Sequence, residues 1–244
     1  MAKVLRPGFP DSRGEEEARA AEAVEHAGVG APRFFGTTRV DGRFALVYER
    51  IDGESMLDRL LARRDRTTEM AHLLASVHAA MHDSVGAGLP RFRDRVERAI
   101  GRQEELLAES VRLEVRRRLA ELPDGTAVCH GDMHPGNVLM TDRGPVIIDW
   151  ITAGAGPPTA DVARSLLLLL DGVLPPEMPP DQRAVTEARR HVFTDAYLAR
   201  YAELRDLDRD EVARWRLPLL AARLNEEVTG EREHLLRLIE VEAG

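Results

Sequence analysis

A single cysteine, Cys129, among 244 residues excludes an intrachain disulfide and gives no sign of an oxidising compartment. Its place in an apolar stretch entering a loop suits a small buried hydrophobe better than a reactive thiol. Long apolar runs are missing too. The longest leucine run, residues 166–170, is far too short to span a bilayer, and the first ten residues, MAKVLRPGFP, carry no apolar segment of the secretory kind. The expectation is a cytoplasmic protein with no membrane association. Positive charge is in deficit, with 34 Lys and Arg against 42 Asp and Glu and a formal net charge of −8. That argues against nucleic acid as a partner, which requires a basic face, and is compatible with a cationic one. Internal repeats and low-complexity segments are absent. What remains is 43% hydrophobic and 31% charged, enough for one large domain or two lobes with real cores.

The chain is organised around residues 128–150, VCHGDMHPGNVLMTDRGPVIIDW. Asp132 is followed five positions later by Asn137, and Asp149 lies twelve beyond that. Between Asn137 and Asp149 sit two short apolar runs, residues 138–140 and 146–148, separated by Thr141-Asp142-Arg143-Gly144-Pro145. This reads as a β-hairpin with a five-residue turn. Pairing about Arg143 sets Val138 opposite Ile148 and Asn137 opposite Asp149. A carboxamide and a carboxylate then share one end of the hairpin, beside the loop carrying Asp132. Two hard oxygen ligands on adjacent strand ends suit Mg²⁺, which takes few protein ligands and leaves room for phosphates. A free carboxylate nearby suits proton acceptance from a hydroxyl.

H-G-D-x-x-x-x-N followed by a hydrophobic strand ending in Asp resembles the catalytic core of the aminoglycoside phosphotransferase and choline kinase group, small-molecule kinases with a protein-kinase-like fold. The resemblance implies an α+β, two-lobed fold: a partial N-terminal β-lobe over residues 1–51 and a larger, mainly helical C-lobe over residues 52–244. It implies Asp132 as catalytic base, His130 bracing the catalytic loop, and Asn137 and Asp149 as Mg²⁺ ligands. ATP is the implied donor, with GTP as an alternative, and a small-molecule hydroxyl the implied acceptor. His130-Gly131-Asp132 in place of His-Arg-Asp, and Asp149-Trp150 in place of Asp-Phe-Gly, speak against a protein kinase.

Along the chain, residues 2–5 read as a short strand holding Lys3, ended by Arg-Pro-Gly-Phe-Pro. Ser12 and Glu15 fit a capping box that opens a helix running to about His26, with Gly28 ending it. Taken alone, Lys3 is an exposed lysine near a terminus and Glu17 one glutamate among several. The resemblance makes them the phosphate-binding lysine and its helix partner. Residues 32–51 carry two apolar runs about Asp41-Gly42, a strong hairpin signal, with residues 44–48 as the central strand. The resemblance makes the following Glu49-Arg50-Ile51-Asp52-Gly53 a hinge, with Tyr48, Ile51 and Leu139 as nucleotide contacts.

Helices are expected over residues 54–64, 68–82, 92–100 and 105–122. His78 and His82, four apart, lack the acidic context of a zinc site and read as packing or surface histidines. After Trp150 a Gly- and Pro-rich loop, residues 152–159, leads into Asp161. G-x-P-x-x-D-x-A (Gly156, Pro158, Asp161, Ala163) resembles the family motif whose aspartate hydrogen-bonds the catalytic loop, so Asp161 is the expected support. A Pro-rich break over residues 174–180 precedes helices over residues 182–203, 209–228 and 231–241. Asp195, Glu226 and Glu227 are candidates for a cationic acceptor, with plain surface exposure the simpler reading of each.

The resembled kinases place two strands and a glycine-containing loop before the lysine strand, whereas only Met1 and Ala2 precede Lys3. The expectation is that an upstream segment supplies that cover and that the chain as given binds ATP weakly. A nucleotide-binding or scaffolding pseudokinase is the alternative reading.

Overall fold

The computed structural model describes residues 1–174 and 178–244. The fold is α+β and kinase-like. At the N-terminal end, β1 (Ala2–Val4) and β2 (Phe34–Val40) flank β3 (Arg43–Tyr48) in an antiparallel sheet of order β1-β3-β2. The central strand is the one expected. The β2–β3 turn is Asp41-Gly42, with φ of 49° and 76°, the left-handed pair that a two-residue hairpin turn needs. The β1–β3 register sets Lys3 opposite Leu46, which is fully buried.

Helix α1 (Asp11–His26) lies against this sheet. The capping box does not form: Pro10 is the N-cap, no side chain caps the helix, and Ser12 lies within its first turn. Proline pre-sets the extended entry, and the Asp11 carboxylate meets the positive end of the helix instead. Ala18 packs with Leu5 and Leu46 beneath the sheet, whereas Ala20, Ala23 and Val24 belong to the larger core. Glu17 therefore lies in the seam between the two clusters, 2% exposed.

The rest of the chain is mainly helical. Its helices are α2 (Met56–Ala62), α3 (Thr67–Met81), α4 (Phe92–Gln103), α5 (Glu109–Glu121), α6 (Pro158–Asp171), α7 (Pro180–Leu204), α8 (Arg209–Arg223) and α9 (Arg232–Ala243). They enclose one core in which Tyr197, Tyr201 and Trp215 are fully buried. At about 1.5–3 kcal/mol for each large apolar side chain buried, this core outweighs the small N-terminal cluster several-fold. Among the described residues, no helix is long and apolar enough to cross a membrane.

Two short sheets carry the functional loops. In one, β4 (Glu54–Ser55), β6 (Val138–Thr141) and β7 (Gly144–Ile147) run in the order β4-β6-β7. The helix expected from residue 54 begins two residues later, because Glu54 and Ser55 pair with Met140 and Leu139 and the Ser55 hydroxyl caps α2 by accepting from Asp58 N at 3.0 Å. In the other, β5 (Ala127–Cys129) pairs with β8 (Gly154–Gly156), where a loop was expected. A Cβ on Gly156 would come within 2.7 Å of the Phe92 side chain, so the glycines that suggested a loop instead let a strand tuck under α4. The expected Pro-rich break over residues 174–180 lies partly outside the described residues.

The catalytic hairpin forms, but one residue out of the expected register. Val138 pairs with Ile147, Met140 with Pro145 and Thr141 with Gly144, leaving Asp142-Arg143 as a two-residue turn. The Thr141 hydroxyl makes the tighter turn possible: it accepts from Arg143 N at 3.1 Å and donates to Gly144 O at 2.8 Å. Asn137 thus neighbours Ile148, whose N–H donates to Asn137 O at 2.9 Å.

Candidate active site

The loop after β5 is built over one buried carboxylate. Asp161, in the first turn of α6, is fully buried. Its Oδ2 accepts from His130 N at 2.6 Å and its Oδ1 from Gly131 N at 2.8 Å. The Nε2 atoms of His78 and His82, both on the α3 side, reach the same Oδ2 at 3.0 and 3.3 Å. Each imidazole is met at Nδ1 by a phenol from α7, His78 by Tyr197 at 2.7 Å and His82 by Tyr201 at 2.6 Å. With a hydroxyl donating to Nδ1, each ring can point an Nε2 proton at Asp161. Burial, helped by the neighbouring His78 ring, pushes His82 down to about 4. Burial alone would raise the Asp161 carboxyl; the hydrogen bonds from His78 and His82 outweigh it and hold the group well below the usual carboxylate range. These three residues also lie within metal-ligand reach of one another, yet the facing nitrogens and oxygens are already spent on hydrogen bonds. The histidines are buried packing groups, not surface ones.

Asp132 rises from this platform. Its N–H donates to His130 Nδ1 at 3.2 Å, and His130 Nε2 donates to Ile148 O at 2.9 Å, so the imidazole ties the loop to the end of the hairpin. Gly131 has φ of 77°, and a Cβ there would meet Thr152 O at 2.6 Å. Only glycine fits this bend. The Asp132 carboxylate is 30% exposed, with Asn137 Nδ2 at 3.1 Å and His134 Nε2 at 3.6 Å from Oδ2 and an Arg164 nitrogen at 3.5 Å from Oδ1. Burial would raise its pKa, but His134 and the charge of Arg164 prevail and hold it far below the usual range. The group is a standing carboxylate.

Asn137 Nδ2 also donates to Asp132 O at 2.8 Å. With its nitrogen spent this way, the amide keeps its oxygen as the atom a hard cation would take. Asp149 follows the hairpin with φ and ψ both 64°, a left-handed conformation uncommon outside glycine. Trp150 holds this bend: its indole donates back to Ile147 O at 3.0 Å and its ring packs on His130 at 4.7 Å. The bend re-aims Asp149 toward the N-terminal sheet, where Lys3 Nζ lies 2.9 Å from Oδ1. Lys3 also donates to Glu17 Oε1 at 2.7 Å, while Glu17 Oε2 is buried without a partner among the described residues. Burial alone would lower the Lys3 pKa; Glu17 and Asp149 outweigh it and raise it. A carboxamide where the hairpin begins, a carboxylate just past its end and a cation on that carboxylate fit the donor types a Mg²⁺–phosphate group takes.

The residues expected around a nucleotide base are less concentrated. Both main-chain polar groups of Tyr48 are taken by Met1, its ring packs on Phe34 at 5.2 Å, and its hydroxyl lies 3.4 Å from Glu17. It supports the lysine–glutamate pair. Ile51 is half-buried in the connection between β3 and β4, and Leu139 is half-buried on β6. Asp195 is exposed. Two neighbours of Asp132 escaped the sequence reading. Arg164 was readable as the residue one turn beyond Asp161, on the same face of α6, and His134 as a titratable group two positions past Asp132.

A loop pinned from below by Asp161, a hairpin that follows it, and a lysine–glutamate pair on the N-terminal sheet are laid out as in a kinase-type fold. The chain belongs to the phosphotransferase enzyme family, whose model matches residues 2–207. Solved structures agree on the fold. An aminoglycoside-3'-phosphotransferase of type VIII is 22% identical, with 91% of this chain and 84% of that one covered and a TM-score of 0.61. The amicoumacin kinase hAmiN, in complex with AMP-PNP, Ca²⁺ and Ami, is 14% identical, with 99% and 80% covered and a TM-score of 0.64. The aminoglycoside phosphotransferase APH(3'')-Id from Streptomyces rimosus, in complex with ADP and streptomycin, is 20% identical, with 91% and 85% covered and a TM-score of 0.58.

Proposed function

We propose that this protein transfers the γ-phosphoryl group of ATP to a hydroxyl group of a small molecule. The observation that carries this reading is the convergence, from three separate stretches of chain, of Asp132 with Asn137 and of Asp149 with Lys3 and Glu17. Residues 1–51 act as the lobe that supplies Lys3, and residues 52–244 as the lobe that supplies the loop and the acceptor side. GTP is an alternative donor, and amino alcohols, sugars and amino sugars are all open as acceptors.

Asp132 orients the acceptor hydroxyl and takes its proton as the oxygen bonds to the γ-phosphorus. The bond from that phosphorus to the β–γ bridging oxygen breaks, and ADP leaves. The depressed pKa of Asp132 keeps it ionised but makes it a weak base, which suits a loose transition state where the proton moves late. Asn137 and Asp149 would hold Mg²⁺, which when bound would supply positive charge against the β- and γ-phosphates. Lys3, held by Glu17, exchanges its contact with Asp149 for phosphate oxygens. His130 and Asp161 fix the loop so that little reorganisation is left for the reacting state.

The test is release of ADP from MgATP in the presence of a panel of small hydroxyl compounds, with Asp132→Asn in parallel. The expected outcome is acceptor-dependent release that the variant loses. Nucleotide binding with no release on any acceptor would instead favour the pseudokinase.

A further inference from the structure

Arg164 touches no reacting group in the chemistry above, yet among the described residues it makes the nearest ion-pair approach to the Asp132 carboxylate. Its side chain is 6% exposed. Its Nε donates to Gly131 O at 3.1 Å, and one terminal nitrogen lies 3.5 Å from Asp132 Oδ1. That same nitrogen is bonded to Glu226 Oε1. The other oxygen of Glu226 accepts from Arg223 at 2.9 Å, and Arg223 is clamped by the buried Glu231 through two contacts of 2.8 Å. Glu231 in turn accepts from Val173 N at 3.0 Å. A chain of alternating charges thus runs from the end of α6, through the junction of α8 and α9, to the catalytic loop.

The distances decide which contact dominates. At 3.5 Å the Arg164–Asp132 approach is not a formed hydrogen bond, whereas the bond to Glu226 is. Glu226 and Asp132 compete for one nitrogen of a buried guanidinium, which must keep a partner. Both Glu226 oxygens are also occupied by arginines, so an ammonium group arriving there would have to displace one of them.

We propose that Arg164 is a positioning residue that fixes Gly131 and Asp132, and that Glu226 is its counter-ion and not a receptor for a cationic acceptor. Holding Glu226 sets how far Arg164 reaches toward Asp132, and so where the carboxylate points. Lysine cannot replace Arg164, because a single ammonium cannot reach Gly131 O and Glu226 together in this fork geometry. What Asp132 does once placed rests on the phosphotransferase reading; the placement does not.

Hydrogen–deuterium exchange of the full chain separates the two. Arg164→Lys should speed exchange in the peptide spanning residues 130–137 by about tenfold, the scale of losing a hydrogen bond to a charged group, with α8 unchanged. Glu226→Gln should do the same to a smaller degree. Glu240→Gln, which removes a charge from an exposed site on α9, should do nothing. In turnover of MgATP with water as acceptor, Arg164→Lys should lower kcat and leave KM for ATP within about twofold, as expected when only a reacting-state contact is lost. Unchanged exchange at residues 130–137 in Arg164→Lys overturns the proposal even if the wild type is an active kinase. Faster exchange throughout the C-terminal lobe overturns it as well, because that marks a merely structural arginine. Localised loosening in a protein that releases ADP with no acceptor of the panel would uphold the positioning and favour the pseudokinase.

Discussion

Lys3 Nζ and Asp149 Oδ1 lie 2.9 Å apart although 146 positions separate them in the chain. The contact joins the N-terminal sheet to the catalytic hairpin, and Lys3 simultaneously neutralises Glu17, which is 2% exposed. Replacing Lys3 by Met keeps the apolar stem and strands the Glu17 carboxylate in the seam beside α1. Removing one partner of a fully buried pair costs about 3–5 kcal/mol. Lys3 is 39% exposed, so solvent screening reduces the expected loss to about 1–2 kcal/mol. Urea unfolding of Lys3→Met against wild type measures it, and an unchanged midpoint would show that the ion pair is not a tie between the two clusters.

Asp149 offers a different test, because its carboxylate faces both Lys3 and the proposed metal position. Asp149→Ala should weaken binding of ADP in the presence of Mg²⁺ by about tenfold or more, since it removes an anionic ligand. In EDTA the same variant should bind ADP no worse than wild type, because Lys3 is freed for phosphate. Asn137→Ala should act in the same direction with a smaller loss, as a carboxamide brings no charge. Equal losses with and without Mg²⁺, read by calorimetric titration, would contradict the assignment of both ligands.

The parts of this site that the sequence discloses are those set by local pattern. Asp41-Gly42 announces its own turn, and the spacing of Asp132, Asn137 and Asp149 announces a convergence at a hairpin end. The register of that hairpin was not legible, because Asp142-Arg143 has no turn signature of its own; the turn depends on the Thr141 hydroxyl. The one-residue slip would send Asp149 to the other face, and the left-handed bend at that residue turns its carboxylate to Lys3. The platform under the loop was half visible. His78 and His82 are spaced four apart on one helix face, and so are Tyr197 and Tyr201, but the two pairs meet across 119 positions of chain. No local pattern records such a meeting. The pairing of Arg164 with Glu226, 62 positions apart, was hidden for the same reason.

Asp132→Asn probes the base itself. The amide keeps the shape of the side chain and its place over Asn137 but cannot take a proton. Turnover on any confirmed acceptor should fall by about 10²–10⁴-fold, the usual worth of general-base help. ADP affinity should stay within about twofold if, as proposed, Asp132 serves the acceptor and not the nucleotide. Single-turnover measurements distinguish loss of chemistry from loss of binding, and near-wild-type turnover would remove Asp132 from the mechanism.

Acid should unfold this protein through the platform beneath the catalytic loop. His82 is buried and neutral, with its pKa pushed down to about 4 from the ordinary 6.5. As pH falls through 6.5 the unfolded chain takes this proton and the folded chain does not, so stability declines between about pH 6.5 and 4. At 1.36 kcal/mol per unit, the depression corresponds to ~3 kcal/mol lost across that window. Asp161 adds to the decline at lower pH. Its folded pKa lies well below 3.8, so its contribution is present above that value and is lost as the pH drops beneath it. Urea unfolding at a series of pH values from 7.5 to 4.5 should give a falling free energy, and His82→Gln, which has no titrating ring, should flatten the slope over this range. A flat profile in the wild type, or an equal slope in the variant, would show that the buried histidine is not the group that couples this fold to acid.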